Sequence, residues 1–150
     1  MSTTRHGTPR PAVLDGSPTA PPPTTVSLVV FGAHLRGEPR CWQLEEVDGA
    51  FLRDVRTAPA YRMHLAADGH RPLVVPAPSG VPGMGLPGEE WLLPVPAVGN
   101  LLVALSAPEA VGPVALDDGR HVLGVLGAVT GRERDISDPF GWRAFRDGCA

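Results

Sequence analysis

The sequence predicts an α+β domain of several short strands with one or two helices. Short runs rich in β-branched and other apolar residues (26–31, 73–75, 90–94, 114–116 and 121–126) recur between Gly- and Pro-rich turns. Asp117-Asp118-Gly119-Arg120 separates the last two runs and is a strong hairpin signal. The regular strand–helix alternation of a doubly wound sheet is missing.

Composition bounds the function before any motif is read. The chain has 150 residues, 43% of them hydrophobic, which suits one core, and its net charge of −3 argues against nucleic-acid or membrane-surface binding. All 13 basic residues are Arg, so neither a Schiff-base lysine nor a P-loop lysine is available. Cys41 and Cys149 are too few for a disulfide framework or a thiolate zinc site. No metal or nucleotide motif is recognisable, so no metal and no cofactor is expected. No apolar run reaches membrane-span length and the first 25 residues lack a signal-peptide core, so a cytoplasmic location is expected.

Residues 1–25 form a Pro/Thr-rich leader with little to bury and are expected to be disordered; the domain is expected over 26–146 and a tail over 147–150. The run 26–31 reads as a buried strand that ends at Gly32. A glycine there lets successive N–H groups turn outward as a nest for a carboxyl or other anion, with His34 as a titratable neighbour. The plainer reading is a strand, a turn and a surface histidine. Through 38–56 the apolar residues Trp42, Leu44, Val47, Phe51, Leu52 and Val55 are spaced more like one helical face than a strand, with Gly49 interrupting.

Pro59 ends that segment, 61–65 alternates as a strand, and 73–75 is a further short strand. A turn-rich stretch over 76–88 leads to the strand 90–94, where Trp91 is expected in the core. Glu89-Glu90 abuts it; alternation turns one carboxylate inward, where it would titrate high if unpaired, whereas the plainer reading leaves it facing water at a strand edge. Residues 96–105 start with Pro and predict a helix. Arg143, beside Trp142, suits either a guanidinium over an indole or the cap of a terminal helix. His64 and His70 lack metal-ligand spacing, and Gly83-Met84-Gly85 reads as a turn.

A set of unrelated motifs in fixed order then points to a family. Val29-Val30-Phe31-Gly32-Ala33-His34-Leu35-Arg36-Gly37, Trp42-Gln43-Leu44, Arg56-Thr57-Ala58-Pro59-Ala60-Tyr61-Arg62 and Glu90-Trp91-Leu92-Leu93-Pro94 resemble the C-terminal domain of allophanate hydrolase. Leu116-Asp117-Asp118-Gly119-Arg120, Asp135-Ile136-Ser137 and Phe140-Gly141-Trp142-Arg143-Ala144-Phe145 continue the resemblance across nearly all of 26–146. No amidase portion accompanies them, so the resemblance is to a stand-alone copy. It implies a γ-glutamylcyclotransferase-like fold, a small mixed β-barrel with peripheral helices. It also implies a pocket at the first glycine turn, with His34 as the catalytic residue. Gly32, Ala33 and Leu35, together with Gln43, Glu90 and Arg143, make up the expected substrate-binding set.

The chain departs from the family's usual pattern at pocket-facing positions. Cys41 stands where Asn is common, Leu123-Gly124-Val125-Leu126-Gly127-Ala128 has lost a Lys, a Cys and a Glu, and Phe145 replaces a Tyr. Two functions therefore stay open. One is binding of a small carboxylated nitrogen compound with assistance to its decarboxylation in urea or amide nitrogen metabolism. The other is a non-catalytic accessory or metabolite-binding module for a separately encoded amidase. γ-Glutamylcyclotransferase activity is least supported, because 97–107 holds no acid and Glu109 comes late.

Overall fold

The structure, a computed structural model, describes residues 24–148. The expectations for most of the leader and for Cys149 lie outside them. The described chain forms eight strands and three helices: β1 (Thr25–Val30), α1 (Trp42–Glu46), β2 (Ala50–Arg56), β3 (Tyr61–Leu65), β4 (Pro72–Pro76), β5 (Pro87–Pro94), α2 (Val95–Ala104), β6 (Glu109–Ala115), β7 (His121–Gly127), β8 (Arg134–Asp135) and α3 (Gly141–Gly148).

The α+β class holds, but the expected small barrel is not formed. The strands form two separate sheets, one of five strands in the order β2-β5-β1-β7-β6 and one of three in the order β4-β3-β8. β1 is antiparallel to β5 and parallel to β7, so the large sheet is mixed. Because β1 is an interior strand, its alternate side chains enter two different cores. Val29 and Phe31 pack with Tyr61, Met63, Val74, Val114 and Trp142, which draws the small sheet and α3 onto one face. Leu28, Val30, Trp91 and Leu93 pack with Leu44, Ala97 and Leu101, which seats α1 and α2 on the other.

The helical reading of 38–56 is corrected. Only Trp42–Glu46 is helical; Asp48, at φ 63°, and Gly49 turn the chain, and Phe51 and Val55 lie on strand β2. A register shift between Phe51 and Arg53 disturbs the period-two alternation that would have marked the strand. The strand begins one residue earlier than expected, at Thr25, and the carbonyl of Thr24 accepts the N–H of Val95.

The Arg56–Arg62 motif proves to be a strap between the sheets. Thr57 is buried, exchanges main-chain and hydroxyl hydrogen bonds with Leu86, and the N–H of Ala58 donates to Ala115 O. The Tyr61 hydroxyl accepts the N–H of Ala115 at 2.8 Å. These polar groups satisfy backbone that a crossing chain would otherwise leave unpaired.

Candidate functional site

The chain leaves β1 at Phe31 and winds through a tight turn before α1. The N–H of Leu35 donates to Gly32 O and that of Arg40 to Ala33 O. The N–H groups of Gly32, Ala33 and His34 take no hydrogen-bond partner among the described residues. The unpaired amides are therefore those of 32–34, whereas the amide of Leu35 is spent inside the turn. Gly32 is there for packing: a Cβ on it would lie 2.2 Å from Pro72 Cγ, so the turn can approach β4 only without a side chain.

Two buried carboxylates pin the turn. Glu89 Oε1 accepts the N–H of Arg36 at 2.9 Å and the Trp91 indole N–H at 3.2 Å, while its Oε2 accepts Arg36 Nε at 3.2 Å. Glu38 is paired with Arg146 and lies 3.6 Å from Arg143 Nε, and Arg143 also donates to Arg36 O. Helix α3 thus docks on the turn through guanidiniums. Arg143 does not sit over the Trp142 ring; the cation–π contacts are Arg36 on Phe51 and Arg134 on Phe145.

His34 is buried, with Nε2 2.8 Å from Gln43 Oε1. An amide oxygen only accepts, so the ring donates from Nε2 and the neutral form keeps its lone pair on Nδ1. Burial pushes the imidazole below its usual range; the Gln43 hydrogen bond opposes it, and the charges of Arg40 and Glu109 add smaller effects of opposite sign. Gln43 therefore orients the histidine.

The turn opens onto a notch of about 30 Å³ lined by Gly32, Ala33, His34, Arg40, Arg71 and Glu109. That is about the volume of one water. Beside it, sharing Ala33, Arg40 and Arg71, lies a cleft of about 540 Å³ walled by Glu38, His70, Trp142 and Phe145, which is ligand-sized. Arg71 is paired with Glu109 and Asp68, whereas Arg40 has no carboxylate partner among the described residues. Sequence reading missed Arg40, Arg71 and His70, because each meets the turn only through the fold.

Glu90 is placed elsewhere, and the expectation of a single inward carboxylate is corrected: both members of the pair are inward, and both are paired. Glu89 and Glu90 are both buried, on opposite faces of a strand that has a neighbour on each side. Glu90 accepts Arg53 at 2.7 Å and Arg120 at 2.8 and 3.1 Å. The hydrogen bonds from Arg120, with Arg53 adding to them, hold its carboxyl down at about 2. Glu90 positions two guanidiniums; its oxygens are already engaged. Cys41 is a buried free thiol, pushed up to about 11 by burial. Among the described residues no group of His, Cys, Asp and Glu is placed to hold a metal ion, and no helix is long and apolar enough to cross a membrane.

Residues 26–147 match the allophanate hydrolase C-terminal domain family, and the chain belongs to it. It is 29% identical over 131 residues to urea amidolyase of Saccharomyces cerevisiae, spanning 83% of this chain but only 7% of that protein. A solved structure of a uropathogenic Escherichia coli-specific protein superposes with a TM-score of 0.76 at 31% identity, covering 83% of this chain and 98% of that one. Kluyveromyces lactis allophanate hydrolase shares the fold with a TM-score of 0.75 at 23% identity, over 83% of this chain and 21% of that chain.

Proposed function

We propose that this chain binds a small carboxylated nitrogen compound of the urea and allophanate type at the 32–34 turn. One carboxylate oxygen enters the notch against the free amides and Arg40, and the rest of the molecule fills the adjoining cleft. What carries the reading is the coincidence of three unengaged N–H groups with a guanidinium that has no carboxylate partner. Oriented amides and a cation favour an anion in a partly dry site. The family supplies the compound class, since its named members act on urea or allophanate.

Binding is favoured over assisted decarboxylation by the state of His34. Loss of CO₂ from an N-carboxy compound requires a proton on the nitrogen. A neutral imidazole whose only N–H is bonded to Gln43 has none to give. The catalytic reading retains one supporting observation, that His34 lines the notch itself.

Thermal unfolding with N-carbamoylglycine, and with its uncharged amide as control, tests the reading. The acid should raise the melting temperature in proportion to occupancy, the amide should not, and Arg40→Gln should abolish the rise. Equal effects of acid and amide, or an unaltered response in Arg40→Gln, would refute it. Supplying N-carboxycarbamate from a separate amidase and following CO₂ release separates the two readings: acceleration that His34→Asn removes establishes the catalytic one.

A further inference from the structure

A second cleft, of about 480 Å³, has Leu35 rather than Ala33 in its wall and meets the first only at Trp142. It is lined by guanidiniums and carboxylates in alternation, and most of them are mutually satisfied. Glu89 is held by Arg36, and Arg120 lies on Glu90 and on Asp118 at 2.8 Å. Arg53 lies on Glu90, Asp54 lies 3.4 Å from Arg36, and Arg143 is flanked by Glu38 and Glu89.

Two charges are left over, one of each sign. Arg56 donates from a single terminal nitrogen to Gly85 O at 3.0 Å and Pro139 O at 2.9 Å, which leaves its Nε and second terminal nitrogen unused. It has no carboxylate partner among the described residues. The Asp117 carboxylate accepts no hydrogen bond among them either. The two residues are neighbours across the chain, with the N–H of Asp117 on Arg56 O at 2.9 Å, yet no ion pair joins their side chains and the guanidinium bonds the carbonyls of Gly85 and Pro139 instead.

We propose that this cleft binds a small zwitterion of the α-amino acid class. Its carboxylate meets the unused donors of Arg56 and its ammonium meets Asp117. An apolar side chain lies against Val55, Trp142 and Phe140; the last is 74% exposed and would gain cover. A second carboxylate on the ligand would face Asp54, Asp117 and Asp118, and a purely cationic ligand would face the arginines. A molecule with one charge of each sign completes both leftover groups at once.

The test uses L-leucine and two relatives that each lack one charge, 4-methylpentanoate and 3-methylbutylamine, titrated into the full chain and followed by amide chemical shifts. Leucine should bind saturably and about fivefold tighter than either relative, the scale of an exposed charge contact. Asp117→Asn should bring leucine down to the level of 4-methylpentanoate, and Arg56→Gln to that of 3-methylbutylamine. Arg40→Gln, in the other cleft, should leave leucine binding unchanged, so the inference stands or falls apart from the function proposed above. Asp117 is exposed, and an unchanged melting temperature verifies that its variant is folded. No saturable leucine binding, equal affinity for leucine and 4-methylpentanoate in the wild type, or loss of leucine binding in Arg40→Gln would overturn the proposal.

Discussion

Glu90 is the residue whose chemistry departs furthest from its position in the chain. Its side chain is 2% exposed and lies under two guanidiniums that are themselves about half in water. Glu90→Gln keeps the shape and removes the charge, so the expected cost is about 1–3 kcal/mol in urea unfolding. The folded carboxyl, at about 2, lies below its ordinary 4.5, so ionised Glu90 stabilises the fold. That contribution is complete above about pH 4.5 and is lost as pH falls from there toward 2. The stability gap between wild type and Glu90→Gln should therefore close over that window. A gap independent of pH would show that the charge plays no part.

Among elements, the β1 turn depends on how closely it can approach β4. Pro72 lies where a side chain on Gly32 would begin, so the glycine is a packing requirement before it is a feature of ligand binding. Gly32→Ala should cost about 1–3 kcal/mol in denaturant unfolding without any ligand present. Wild-type stability in that variant would mean that β1 and β4 can separate freely. The same turn is tied to β5 by Glu89 and to α3 by Glu38, so a shift at Gly32 would also move Arg36 and Arg143.

Across the molecule, strands β1 and β7 of the large sheet join two cores. β1 sends Val29 into one and Leu28 and Val30 into the other, so neither core can open alone without disturbing that strand. Trp91, 3% exposed and edge-on to Phe51, is the largest side chain of the helix-side core. Trp91→Ala should cost about 3–5 kcal/mol. Far-UV circular dichroism and tryptophan fluorescence should still trace one coincident transition. Separated transitions would show that the small sheet folds apart from the large one.

Features that local pattern encodes were legible along the chain. The strands around 26–31, 61–65, 73–75 and 90–94, the helix after Pro94 and the hairpin at Asp117–Arg120 each carry periodicity or turn chemistry within a few residues. The glycine turn with His34, and the burial of Trp91, were legible for the same reason. The sequence of strand β2 resembles a helical face because its bulge breaks the alternation, and the two residues of β8 are too short to carry any pattern. That β5 lies between β2 and β1 is set by long-range strand pairing, and this strand order buries both Glu89 and Glu90. Their partners Arg36, Arg53 and Arg120 come from three other parts of the chain, as do the Arg40 and Arg71 that meet the turn. Periodicity acts over a few residues, whereas the position of a charge relative to its counter-charge is set by which strands pair, and that is fixed only when the whole sheet forms.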